Sequence, residues 1–123
     1  MAARPQTTRK GSVCGKTPPA TLADFQQQIE ALYGSRDRER GLATTFMWFV
    51  EEVGELSRAL RRSDRENLEE EFADVLAWLV TLASMAGIDM ARAANKYLHG
   101  CPRCHATPCR CPASRSASPR SSS

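Results

Sequence analysis

Thr45-Phe46-Met47-Trp48-Phe49-Val50-Glu51-Glu52-Val53-Gly54-Glu55-Leu56 and, after a spacer, Glu70-Glu71-Phe72-Ala73-Asp74-Val75-Leu76 are the stretches that decide the fold. Apolar residues recur at spacings of three and four: Phe46, Phe49, Val53, Leu56 and Leu60 in the first stretch, Leu68, Phe72, Val75, Leu79 and Ala86 in the second. That period predicts two amphipathic helices packed antiparallel through their apolar stripes. Glu52 and Glu55 are spaced i, i+3, as are Glu71 and Asp74, so each pair shares a helical face at the edge of its stripe. Trp48 stands four residues before Glu52 and Trp78 four after Asp74, which puts both indoles on the carboxylate face.

Four carboxylates converging at the margin of a core repel one another and call for a cation. Oxygen donors without thiol or imidazole suit Mg²⁺ or Mn²⁺, which keep several waters and bind substrate phosphates. An aromatic beside such a site can stack on a nucleobase or ribose. Acidic residues on a helix ordinarily form a solvated face, and Glu69-Glu70-Glu71 alone reads that way. The matched phase of both pairs, with matched tryptophans, favours a site over a solvated surface.

These residues resemble the MazG-like nucleotide pyrophosphohydrolase family of all-α NTP pyrophosphatases. The family motif is E-x-x-E, a spacer, then E-x-x-D; here residues 56 to 70 form the spacer, and the similarity extends over roughly residues 21 to 98. The resemblance implies an all-α bundle of about four helices that assembles as a homodimer or homotetramer. It further implies Mg²⁺-dependent conversion of a nucleoside triphosphate to the monophosphate and pyrophosphate. In that reading Glu52, Glu55, Glu71 and Asp74 hold the metal and are the catalytic set, Glu51 or one of the set is the general base, and Trp48 and Trp78 meet base or ribose. Asn95 and Lys96 occupy the place where the family holds substrate phosphates, and Arg36, Arg38 and Arg40 border the nucleotide, although a solvated surface is the simpler reading for any one of these arginines.

With 123 residues the chain accommodates one small domain. All 14 acidic residues lie between Asp24 and Asp89, and both flanks beyond them hold only basic charge. No run of 18 apolar residues occurs, which argues against a membrane span, and no apolar segment follows the basic N-terminus as a secretory signal requires. The cytoplasm is the default compartment, where thiols stay reduced or metal-bound.

Residues 1–20, rich in Pro, Thr and basic side chains, read as a disordered arm carrying a free thiol at Cys14. Thr21 to Asp24 opens a helix expected to run to Tyr33 and stop at Gly34, with Phe25, Ile29 and Leu32 as its stripe. The second helix spans about Gly41 to Arg62, with Gly54 in it either as a point of close approach for a neighbour or ligand or as a glycine that a long helix tolerates. Ser63 with Glu66 forms a capping box for a third helix ending near Ala86-Gly87, and Asp89 caps a fourth reaching about Leu98.

Cys101-Pro102-Arg103-Cys104 and Cys109-Arg110-Cys111 place four thiols in eleven residues, 99–111 forming a Cys-rich segment. The first spacing lets two thiolates reach one tetrahedral Zn²⁺, and the second pair can complete a structural shell, with His105 able to replace a thiol. A redox pair or a reactive tail is the alternative. Residues 112–123 read as a flexible end.

Two rivals accompany the pyrophosphohydrolase reading. One keeps the fold and changes the substrate to phosphoribosyl-ATP or another pyrophosphate compound. The other is a non-catalytic oligomeric interaction module whose zinc-bearing, arginine-rich end binds nucleic acid through phosphates; the intact acidic quartet weighs against it.

Overall fold

The computed structural model describes residues 18–113; the expectations for the basic arm up to residue 17, Cys14 included, and for the tail beyond residue 113 lie outside these residues. The described chain is all-α, with helices α1 (Leu22–Arg40), α2 (Leu42–Arg62), α3 (Arg65–Met85) and α4 (Met90–Ala94), followed by a 3-10 turn at Asn95–Tyr97. It forms two compact units that divide between Ile88 and Asp89, so the short fourth helix groups with the Cys-rich segment.

In the first unit α1 starts as expected, with the Thr21 hydroxyl accepting from Asp24 N at 3.1 Å. It does not stop at Gly34, which is buried within the helix. The break falls at Gly41, whose φ of 86° suits glycine, and whose N–H reaches back to Asp37 O at 3.1 Å. A buried glycine is tolerated inside a long helix, whereas left-handed backbone demands one.

Ser63 and Asp64 alone connect α2 to α3, and so short a link folds α3 back along α2. Ser63 is not the cap of α3: it sits in the left-handed region (φ 55°, ψ 30°) and closes α2 through Ala59 O. Asp64 is the N-cap of α3, its carboxylate accepting from Asn67 N at 3.4 Å.

The packing reverses one expectation. The large apolar stripe does not close the α2–α3 pair: Phe46 and Phe72 are 54 % and 55 % exposed, and Val53, Leu60 and Leu79 are also exposed. Leu32 likewise faces outward on α1. The inward face of α2 is the line Thr45, Glu52, Ala59, and that of α3 carries Glu71, Ala77, Trp78, Val80, Thr81 and Ala83. Ala59, Ala77 and Ala83 are buried on these faces, and Trp78 is the largest of the fully buried side chains. The buried hydroxyls donate to their own helix, Thr45 to Gly41 O (2.7 Å) and Thr81 to Ala77 O (2.9 Å). Buried Gln26 ties α1 to the end of α3 by donating to Ser84 Oγ (3.0 Å) and Ile88 O (2.8 Å).

The second unit begins with Asp89 as N-cap of α4, accepting from Arg92 N at 3.2 Å, and neither α4 nor the 3-10 turn contains a buried residue. Among the described residues no single helix is long and apolar enough to cross a membrane.

Candidate metal centre

Glu52 is a buried residue of α2, seven residues after Thr45 and seven before Ala59, on the line that faces α3. Glu71 occupies the equivalent inward position on α3, and Asp74 lies one turn further along the same face, half-buried. Carboxylate oxygens of Glu52, Glu71 and Asp74 all lie within 4.8 Å of one another. Both glutamates are only 5 % exposed, and one oxygen of each, Oε2, is buried without a hydrogen-bond partner.

A buried carboxylate oxygen with no donor costs free energy that a fold does not ordinarily retain. The electrostatics show the same conflict. Burial raises the Glu52 carboxyl above its usual range, then Asp74 and Glu71 add to the rise; the Trp78 indole works in the opposite sense, and Glu55 raises it further. Glu71 is raised by burial, by Asp74, Glu55 and Glu70, with Arg58 opposing. An all-oxygen donor set with orphaned acceptors and mutual repulsion fits a hard divalent cation such as Mg²⁺ or Mn²⁺.

Of the four carboxylates expected to converge, Glu55 stands apart from the close set of three. It sits at the rim, paired with Arg58 at 3.3 Å across half-exposed side chains. Glu51 is exposed on α2. Trp48 is half-exposed, one turn before Glu52. Trp78, expected to meet base or ribose, is instead core: it is 1 % exposed, with the Arg40 guanidinium 4.8 Å over its ring.

Arg40 is committed elsewhere too, since it pairs with buried Asp37 and donates from Nε to Thr45 Oγ1 at 3.1 Å. Its side chain, 20 % exposed, is therefore held mostly against the protein, while Arg36 and Arg38 are exposed. Sequence reasoning missed this Asp37–Arg40–Trp78 stack; the i, i+3 spacing of Asp37 and Arg40 was its available signal. A cavity of about 380 Å³ opens at the junction of α1, α2 and α3, lined by Glu30, Asp37, Arg38, Leu42, Thr81 and Met85 among others, none of them from the acidic set.

In the second unit Asn95 and Lys96 are exposed in the 3-10 turn. The thiols of Cys101, Cys104, Cys109 and Cys111 gather within 4.8 Å of one another, and His105 is not among them. Backbone N–H groups of Arg110 and Ala106 pull the Cys104 thiol down to about 6, while hydrogen bonding to Cys109 first, then burial, pushes Cys111 up to about 12.

Residues 40–106 match the MazG nucleotide pyrophosphohydrolase domain. The chain is also similar to the dATP/dGTP diphosphohydrolase of Cyanophage S-2L, 36 % identical over 75 residues that cover 61 % of this chain and 68 % of that protein.

Proposed function

The chain belongs to the MazG nucleotide pyrophosphohydrolase family, and we propose that it converts a nucleoside triphosphate, a purine deoxynucleotide foremost, to the monophosphate and pyrophosphate with Mg²⁺ held by Glu52, Glu71 and Asp74. The observation that carries this reading is the pair of buried, partnerless oxygens on Glu52 and Glu71 beside a third carboxylate. The purine deoxynucleotide preference rests on the phage relative.

When bound, the cation supplies charge neutralisation for the phosphates and acidifies water. The chain's own part is positional. Glu52 and Glu71 are fixed by the α2–α3 packing and need no rearrangement to face an incoming cation. Glu55, at the rim with its side chain 43 % exposed, is free to leave Arg58 and complete the acidic set. Trp48 is the aromatic that retains access to a base, in contrast to Trp78.

The exposed stripe on α2 and α3 is covered by a second copy of the chain. Phe46, Val50, Val53 and Leu60 with Phe72, Leu76 and Leu79 form apolar faces of a kind that monomeric proteins keep small. These faces lie on the helices that carry the carboxylates, so assembly stiffens the site. The free thiols of Cys101, Cys104, Cys109 and Cys111 support a reducing, cytoplasmic setting for this reaction.

Pyrophosphate release from a panel of nucleotides, dATP and dGTP first, measured with and without Mg²⁺, tests the reading. Mg²⁺-dependent release is expected, reduced about 100-fold or more in Glu71→Gln. A protein that cleaves no nucleotide at any Mg²⁺ concentration, yet binds nucleic acid in a salt-dependent way, is the interaction module instead.

A further inference from the structure

We propose that Cys101, Cys104, Cys109 and Cys111 form a closed tetrahedral Zn²⁺ site that takes the place of a hydrophobic core in the second unit. Sulfurs around a tetrahedral zinc at about 2.3 Å are about 3.8 Å apart. Here Cys101 and Cys111 are 3.8 Å apart, Cys104 and Cys109 3.9 Å, and Cys109 and Cys101 3.5 Å. Those separations are those of ligands sharing one ion.

The backbone is folded for the same purpose. Cys101 O accepts from His105 N at 2.7 Å and Cys101 N donates to Ala106 O at 3.0 Å, winding Cys101–Cys104 into a knuckle. Left-handed residues at both of its ends, Gly100 (φ 101°) and His105 (φ 60°), set the turn. A Cβ on Gly100 would lie 2.8 Å from Thr107 Oγ1, so the loop closes tightly on itself. Backbone N–H groups then point at sulfur, Arg110 N to Cys104 Sγ at 3.3 Å and Cys111 N to Cys109 Sγ at 3.4 Å, as thiolate ligands require of their surroundings.

Charge and packing agree. Arg92, Lys96, Arg103 and Arg110 face a single acid, Asp89, within residues 89–113, so the excess negative charge of a four-thiolate zinc site has cations to balance it. Neither helical element of the unit buries a residue, so a metal must supply what burial cannot. Four protein ligands leave no open position, so the role is structural.

Elemental analysis of the purified full-length chain is the test. One zinc per chain is expected in the wild type, with Cys104→Ser and Cys109→Ser falling to trace. His105→Ala and Glu71→Gln are expected to keep full zinc, the latter separating this site from the acidic one. Cobalt exchanged into the wild type should give the visible absorption of tetrahedral thiolate coordination, a readout that needs no variant. Chelation should speed tryptic cleavage at Arg103 and Arg110 about tenfold or more while α1–α3 resist. A wild-type chain that carries no zinc and takes up no cobalt overturns the site. Iron in place of zinc overturns the metal, and zinc lost from His105→Ala or kept by Cys109→Ser overturns the ligand set.

Discussion

Replacing Glu71 with Gln is expected to stabilise the metal-free protein while cutting pyrophosphate release about 100-fold or more. Glu71 is one of three carboxylates whose oxygens lie within 4.8 Å of one another. At that separation an effective dielectric near 20 gives about 3.5 kcal/mol of repulsion per ionised pair, and partial protonation and solvent at half-buried Asp74 reduce what is felt to ~1–3 kcal/mol. The isosteric amide removes the charge, and its NH₂ can donate to the neighbouring carboxylates. The pH dependence has a definite sign. Burial and like charge raise Glu52 and Glu71, so the folded state holds more protons than the unfolded one above the unfolded carboxyl value. The contribution of these two carboxyls to the stability of the metal-free wild type then falls as pH rises from the unfolded value through the raised folded values, and Glu71→Gln should flatten that fall. Thermal unfolding in chelator should show the variant shifted upward by roughly 4 °C or more at neutral pH. With Mg²⁺ present the wild type should gain stability through ligand linkage and the variant should not. A variant less stable than wild type in chelator, or one that Mg²⁺ stabilises equally, refutes the reasoning.

Further expectations follow from the packing. Trp78→Ala should cost about 3–5 kcal/mol in denaturant unfolding, because the ring is buried and covered by Arg40; a cost below about 1 kcal/mol would mean that the indole is not core. Arg40→Met takes the guanidinium away from buried Asp37 and should destabilise by roughly 3 kcal/mol in the same assay. Val53→Glu on the exposed stripe should shift the protein toward monomer in light scattering with its helical circular dichroism retained; an unchanged mass would remove the stripe from the interface. Gly54→Ala, where an added Cβ meets nothing within 4 Å, should gain up to about 1 kcal/mol of helix stability; lost activity in that variant would reveal a ligand or second chain occupying the space.

The acidic pairs were legible in the sequence because two i, i+3 carboxylate pairs on helices joined by a short link can hardly avoid proximity, and the structure gathers Glu52, Glu71 and Asp74. Helix identity was legible for the same reason of strong periodicity. The direction of the apolar stripe was not. An apolar face states only that something covers it, and Phe46 and Phe72 do not say whether the cover is the neighbouring helix or another chain. The inward face was written in a quieter signal, Thr45, Glu52 and Ala59 at seven-residue intervals. Gly34 and Gly41 are alike as letters and differ in backbone, the second alone having positive φ, so the end of α1 depended on tertiary context. Ser63 and Asp64 both suit a cap, and the left-handed turn closing α2 assigned that role to Asp64.

Anomalous scattering from crystals of the full-length protein soaked with Mn²⁺ addresses the claim on which the rest depends. A peak bounded by the carboxylates of Glu52, Glu71 and Asp74 is the expected result. Manganese bound only elsewhere, with those oxygens still facing one another unbridged, would contradict it.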